Sequence, residues 1–128
     1  MPTMKAPKPT LEILEGGRTL FSSSGKWLHP LFEAEKWLEE QDVDLRRLEL
    51  RDSIVGKAAA FLIVHLKISR VKAGVLSKLG EGVLKRHEVS YSCDQLVEKV
   101  LCRTEQELAE VEDPQEAYRI LSERITEK

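Results

Sequence analysis

Residues 51–62, RDSIVGKAAAFL, pass from charged and polar residues into an apolar run that continues to Val64. Just before them, residues 48–50 alternate apolar and polar side chains, which predicts a short strand. Asp52 or Ser53 can cap a following helix, because a side-chain oxygen there accepts a hydrogen bond from an unpaired backbone N–H group. A helix that is apolar on all sides is buried on more than one side. This stretch therefore predicts a strand followed by a helix that lies against a sheet and is covered on its other flank.

The rest of the chain continues this alternation of strands and helices. Upstream, residues 11–21 predict a hairpin with its turn at Gly16-Gly17, and Pro30 suits the first turn of a helix. Downstream the patterns predict a strand at 70–77, a helix at 80–87, a strand at 89–93, a helix at 95–101 and a helix that begins at Asp113-Pro114. This order favours an α/β fold with a mostly parallel sheet, helices on both faces and an antiparallel hairpin at one edge.

The overall composition is that of a globular domain without a strong charge bias. The chain has 128 residues with a formal net charge of −2, so neither a nucleic acid polymer nor an anionic membrane is expected as a partner. No stretch approaches the roughly 18 apolar residues of a membrane span, and a cytoplasmic location is expected. We expect a flexible tail at residues 1–10 and a single domain at residues 11–128. The absence of asparagine, together with many Glu, Lys and Arg residues, favours a thermophilic source.

Gly56-Lys57, at the predicted helix start, is the first candidate site. A phosphate-binding P-loop needs a second glycine five positions earlier and a hydroxyl residue after the lysine, but Arg51 and Ala58 occupy those positions. A weaker anion site remains, because helix N-termini present free N–H groups and a partial positive charge. The alternative is that Gly56 permits close packing while Lys57 extends to water.

Other chemistries have less support in the sequence. His29, His65 and His87 have no partner at the spacing of zinc ligands, so no metal and no cofactor are expected. The chain has no Gly-x-Ser-x-Gly elbow for a nucleophilic serine. Cys93 precedes Asp94, which opposes thiolate formation, and we expect Cys93 and Cys102 to be separate reduced thiols.

The string from Asp52 to Ala60, DSIVGKAAA, follows a hairpin, a Ser-Gly turn and a Pro-Leu helix start. In this context it resembles the TM1506-like family, a domain of unknown function also called DUF1893. The resemblance runs from about Leu11 to the end and includes Arg103-Thr104 and Glu112-Asp113-Pro114, so the chain is expected to be the family's namesake or a relative of it. The resemblance implies a cytidine-deaminase-like fold, a three-layer α/β/α sandwich with a mixed five-stranded sheet.

The chain departs from the zinc deaminases at their metal motifs. Those enzymes carry His/Cys-x-Glu on the second helix and Pro-Cys-x-x-Cys on the next, and this chain contains neither pattern. The enzyme class is therefore open, except that a zinc-dependent deaminase is not expected.

Three functional hypotheses follow from these observations. The first is binding of a small anionic or nucleotide-like ligand at the 52–57 helix N-terminus, by Asp52, Ser53, Val55, Gly56 and Lys57. The second is a metal-independent enzyme that uses Asp52, Lys57 or Cys93. The third is a homodimeric structural or interaction module without a ligand site.

Overall fold

A mixed five-stranded sheet forms the centre of the protein. The structure is a computed structural model, and it describes residues 9–26, 28–100, 108 and 110–126. The strands are β1 (Leu11–Glu15), β2 (Arg18–Ser23), β3 (Leu48–Val55), β4 (Arg70–Ser77) and β5 (Ser90–Val97). Their order in the sheet is β2-β1-β3-β4-β5. Strand β1 is antiparallel to β2 and β3, while β3, β4 and β5 are parallel. The predicted α/β fold, with an antiparallel hairpin at one edge of a mixed five-stranded sheet, is confirmed.

The helices pack around a central one. They are α1 (His29–Glu39), α2 (Lys57–Leu66), α3 (Lys78–Arg86) and α4 (Pro114–Thr126), with a short 3-10 turn at Leu45–Arg47. Helix α2 contacts each of the other three, so these four helices lie on one face of the sheet. No helix covers the opposite face within the residues described here, so these residues form two layers and not the expected three-layer α/β/α sandwich with helices on both faces. The reason is that β3, β4 and β5 follow one another in the sheet, and successive right-handed crossovers in one direction place their helices on the same face. The described residues contain no helix long and apolar enough to cross a membrane.

The last helix begins where the sequence predicts. The side chain of Asp113 accepts a hydrogen bond from the backbone N–H of Gln115 at 3.2 Å, and its carbonyl oxygen accepts one from the N–H of Ala117 at 3.0 Å. Pro114 is the first helical residue, where its missing N–H costs no hydrogen bond. Ala117 and Leu121 are both completely buried and attach α4 to the core.

The start of α2 differs from the sequence prediction. Strand β3 continues to Val55, which pairs with Leu76 of β4, and Gly56 is the N-cap of α2. Asp52 and Ser53 therefore lie within the strand and do not cap the helix. The reason is that the ladder of β3 with β4 occupies the backbone as far as Val55, whereas the local pattern showed only the capping potential of these side chains.

The predicted helix at 95–101 is wrong in its first part. Strand β5 continues to Val97, and Gln95 and Leu96 pair with Val75 and Leu76 of β4. Pairing with a strand far away in sequence outweighs the local pattern here. The end of that prediction, with Cys102 and the Arg103-Thr104 motif, lies outside the described residues.

Alternating burial breaks at the same level in two adjacent strands. In β3 the buried residues are Leu48 and Leu50, and the next is Val55. In β4 the buried residues are likewise Val71 and Ala73, and the next is Leu76. Neighbouring residues of a strand point to opposite faces of the sheet, so an odd number of residues from one buried position to the next means that the buried face changes. The intervals from Leu50 to Val55 and from Ala73 to Leu76 are both odd. The two strands therefore exchange their inward and outward faces at the same level.

The break coincides with a close approach of the two backbones. A Cβ atom on Gly74 would lie only 2.6 Å from the carbonyl oxygen of Ser53, so no larger residue fits there without a shift of the main chain. Beyond this point Ile54 is 56% exposed and Val75 is half-buried. Two apolar side chains thus leave the core and become available to line a cavity.

Candidate functional site

A cavity of about 670 Å³ lies at the carboxyl ends of β3, β4 and β5, next to the N-terminus of α2. The carboxyl ends of parallel strands are where open α/β sheets usually bind ligands. Most of its wall is apolar and comes from Leu28, Ile54, Ala58, Ala59, Val75, Val97 and Val100. The polar wall residues are Thr10, Ser24, Lys26, Asp52, Ser53 and Lys99. An apolar cavity with a few polar groups is typical of small-molecule sites.

Asp52 is the acidic group of this cavity. Burial raises the pKa of its carboxyl from 3.8 to about 7, although hydrogen bonds from the backbone N–H groups of Ile54 and Ser53 act in the opposite direction. The strand positions it, because Asp52 pairs with Leu11 on one side and with Ala73 on the other. The carboxyl is thus about half protonated near neutral pH and can either donate or accept a hydrogen bond.

Helix α2 presents its N-terminus to the same space. Its N-cap is Gly56, which has no side chain to bond the first-turn N–H groups. The first intrahelical hydrogen bond runs from the N–H of Ala60 to the carbonyl oxygen of Gly56. Gly56, Ala58 and Ala59 all line the cavity. Their backbone therefore offers the partial positive charge of a helix N-terminus to a bound molecule.

Lys57 does not line the cavity. Its side chain is buried, and its Nζ atom lies 3.7 Å from Oε1 of Glu112 and 5.9 Å from the centre of the Phe61 ring. Glu112 also accepts a hydrogen bond from Arg86, which is the main cause of the lowered pKa of Glu112. Lys57 thus connects the start of α2 to the segment before α4. The sequence suggested either a lysine at an anion site or a lysine that extends to water, and neither describes this position.

Of the five predicted ligand-binding residues, the structure brings Asp52, Ser53 and Gly56 together at the cavity. Val55 is completely buried in the core, and Lys57 is paired with Glu112 as described above.

Sequence reasoning missed the wall residues that come from other parts of the chain. Thr10, assigned to the tail, belongs to the folded domain: its hydroxyl donates to the carbonyl oxygen of Gly25 at 2.8 Å, and its own carbonyl oxygen accepts from the N–H of Ser53. Lys26 precedes α1, and Lys99 follows β5. A correct prediction of the end of β5 would have indicated Lys99, because the carboxyl ends of parallel strands meet at one edge of the sheet.

A second polar cluster joins three helices away from the cavity. Glu35 of α1 accepts a hydrogen bond from the Tyr118 hydroxyl of α4 at 2.7 Å, and its other oxygen lies 2.7 Å from Nε2 of His65 on α2. The His65 and Tyr118 rings stack with their centres 3.8 Å apart. This arrangement satisfies polar groups at a helix junction, so we assign it a structural role.

The remaining candidates lie elsewhere. Cys93 is a free, half-buried thiol in β5, paired with Ala73, and it is not a wall residue of the cavity. Cys102 lies outside the described residues. Within the described part of the chain, no group of three or more His, Cys, Asp or Glu side chains is placed to hold a metal ion.

Comparisons with known proteins agree with one another. The sequence profile of a domain of unknown function, DUF1893 (TM1506), matches residues 5–125. The crystal structure of a DUF1893 family protein (TM1506) from Thermotoga maritima matches with a TM-score of 0.78, covering 91% of this chain and 80% of that chain. The two sequences are 28% identical, so the chain is similar to that protein and is not the namesake itself. No curated protein matches the chain. Because the profile spans nearly its whole length, the chain belongs to the DUF1893 (TM1506) family.

Proposed function

We propose that the protein binds a small anionic molecule of nucleotide-like size in the cavity at the start of α2. The observation that carries this proposal is the cavity itself, about 670 Å³ in volume, with mostly apolar walls and the N-terminus of α2 at its edge. Ligand sites commonly enclose about 300–1,000 Å³ and combine apolar walls with a few polar groups. The volume and the composition of the wall both suit a molecule that joins a flat apolar ring to an anionic group.

Each part of the wall has a task in this proposal. Ile54, Val75 and Leu28 contact the apolar part of the ligand. The first-turn amides of α2 bind the anionic oxygens, and a helix-end contact contributes about 0.3–2 kcal/mol depending on its burial. Lys26 and Lys99, both exposed at the cavity, attract the anion from solution.

We further propose that the chain has a cytidine-deaminase-like fold and does not use zinc. The order of the elements and the mixed sheet β2-β1-β3-β4-β5 support this assignment. The sequence lacks both zinc motifs of the deaminases, so the residues that hold the water-activating metal in those enzymes have no counterpart in these patterns here.

Metal-independent catalysis is a second candidate, favoured by the titration of Asp52. A general acid or base works best when its pKa is near the working pH, and the pKa of Asp52 is about 7. Asp52 would then exchange a proton with the bound molecule. Conversion of an identified ligand, followed by NMR with the wild type and with Asp52→Asn, separates a catalyst from a binding protein.

The test of the binding proposal is a thermal-shift screen of nucleosides, nucleotides and small phosphates, followed by titration calorimetry on each hit. We expect Lys26→Ala combined with Lys99→Ala to weaken anionic ligands several-fold. Lys57→Ala is the control, because it removes a positive charge from a lysine that is paired with Glu112 and does not line the cavity.

Two results would contradict the proposal. One is a screen in which no compound raises the melting temperature. The other is a hit whose affinity changes with Lys57→Ala and not with the double Lys26/Lys99 variant. The first result would favour the homodimeric interaction module, which sedimentation equilibrium tests directly.

A further inference from the structure

The cavity combines groups that respond to an anion in opposite ways. The amides of α2, Lys26 and Lys99 attract a negative charge, whereas an ionised Asp52 in the same wall repels it. In an apolar, partly enclosed space this repulsion is poorly screened. An anionic ligand and an ionised Asp52 therefore exclude each other to a large extent.

The protonated form of Asp52 removes this conflict and adds a specific contact. A neutral carboxyl group has one O–H donor as well as a carbonyl acceptor. Most of the wall is apolar, and a hydrogen bond is electrostatically stronger in such surroundings than in water. The position of Asp52 in β3, held between β1 and β4, gives this donor a defined direction.

We propose that Asp52 is protonated in the complex and donates a hydrogen bond to the ligand, an inference that rests on the proposed function. The cavity then selects molecules that carry an anionic group together with an uncharged acceptor, such as a ring nitrogen or a carbonyl oxygen, on their apolar part. Binding is coupled to the uptake of one proton, so the affinity decreases as the pH rises above neutrality.

The charged groups around Asp52 do not account for such a pH dependence. Lys26 and Lys99 face it from the cavity. On the other side of the strand, a shallow groove beside Asp52 is lined by charged residues of four strands: Glu12 of β1, Arg51 of β3, Lys72 of β4 and Asp94 of β5. Ordinary side chains of these types keep a constant charge between pH 5.5 and 8.5. Helix α2 contributes only Gly56, Ala58 and Ala59 to the wall.

The test uses probes that do not themselves titrate in this range. Adenosine and cytidine 3′,5′-cyclic monophosphates keep a single negative charge and carry ring-nitrogen acceptors. Calorimetric titration of the full-length protein at pH 6.0, 7.0 and 8.5 is expected to show at least about tenfold weaker binding at pH 8.5 than at pH 6.0. Titrations at pH 8.0 in two buffers of different ionisation enthalpy are expected to show uptake of close to one proton.

Three variants identify Asp52 as the source of the effect. Asp52→Asn keeps a donor and an acceptor without a titrating group, so we expect its affinity to stay within about threefold of wild type at pH 6.0 and to be independent of pH. Asp52→Ala lacks the donor and is expected to bind more weakly at every pH. Glu40→Gln, which removes one exposed acid at the end of α1, is expected to keep the wild-type pH dependence.

The two proposals fail in different ways. Probe binding that is equal at pH 6.0 and 8.5, or that takes up no proton, overturns the role of Asp52 and leaves the binding function standing. Absence of binding of both probes at every pH overturns both. The proton measurement uses the wild-type protein, so it decides the question even if an Asp52 variant does not fold.

Discussion

Asp52 costs the protein stability near neutral pH, and the same carboxyl group is used in the proposed function. The fold holds a carboxyl group in a partly enclosed, mostly apolar wall, and the resulting burial raises its pKa to about 7. Ionising such a group costs free energy that a neutral side chain would not cost. Strained or electrostatically unfavourable positions of this kind are concentrated at functional sites.

Replacing Asp52 by Asn should stabilise the protein in a pH-dependent way. The pKa of Asp52 in the folded state, about 7, lies above its ordinary value of 3.8. The contribution of this group to stability is therefore complete below pH 3.8 and is lost as the pH rises through 7. We expect Asp52→Asn to unfold at higher urea concentration than wild type at pH 8, by about 2–4 kcal/mol, with a much smaller difference at pH 4.5. An equal difference at both pH values would contradict the shifted pKa.

At the scale of elements, α4 is attached to α1 and α2 by one aromatic and polar cluster. Tyr118 of α4 stacks on His65 of α2, packs near Phe32 of α1 and donates a hydrogen bond to Glu35 of α1. Desolvation and the bond to Glu35 both raise the pKa of the Tyr118 hydroxyl, so it remains protonated. Helix α4 thereby covers the side of α2 that the sheet leaves open.

Truncation of Tyr118 should measure the strength of this attachment. Tyr118→Phe loses one partly buried hydrogen bond, so we expect a decrease of about 0.5–1.5 kcal/mol in the free energy of unfolding. Tyr118→Ala also loses the ring contacts and should cost about 3 kcal/mol or more. Arg119→Ala is the control, since its pair with Glu123 is exposed and such pairs contribute little. Equal values for Tyr118→Phe and Arg119→Ala in urea denaturation would contradict the role of this cluster.

A second prediction at this scale follows from the close contact between β3 and β4. Gly74→Ala puts a Cβ atom 2.6 Å from the Ser53 carbonyl oxygen, and relief of that overlap should cost about 1–3 kcal/mol. Gly82→Ala, in the middle of α3, is the matched control because a Cβ there meets nothing within 4 Å. It should be neutral or stabilise the helix by up to about 1 kcal/mol. Thermal unfolding of the two variants side by side tests this, and similar melting temperatures would refute the close approach.

At the scale of the whole molecule, the sheet decides where a site can be. The carboxyl ends of three parallel strands and the N-terminus of α2 meet at one edge, and the loop before α1 closes the cavity with Lys26 and Leu28. The walls consist of helix backbone, apolar side chains, three hydroxyl groups, two lysine amino groups and the carboxyl group of Asp52. This set of groups suits recognition and proton exchange better than it suits binding of a metal.

The purified protein is accordingly expected to contain no stoichiometric zinc. Expression in zinc-supplemented medium, dialysis and plasma mass spectrometry measure the metal content directly. About one zinc per chain that survives dialysis would refute this prediction and, with it, the zinc-free cytidine-deaminase-like assignment. A zinc ion would have to be held by residues that do not follow any of the spacing patterns of the deaminases.

The sequence by itself determined the elements whose signals are local. The glycine turn of the first hairpin, the Asp113-Pro114 start of α4 and the apolar run of α2 each reflect interactions within a few residues. Those signals survive in the structure because nothing distant competes with them. They were sufficient to predict an α/β fold and a helix N-terminus close to Gly56.

Only the tertiary structure decided the ends of β3 and β5 and the composition of the site. Each strand end depends on pairing with β4, which the local pattern around Asp52 or Gln95 does not contain. Lys57 was expected at a ligand, yet Glu112, from a distant part of the chain, lies beside it. Lys26 and Lys99 reach the cavity because the sheet brings distant segments to one edge. The physical reason is that burial and charge pairing are set by neighbours in space, and a sequence records directly only the neighbours along the chain.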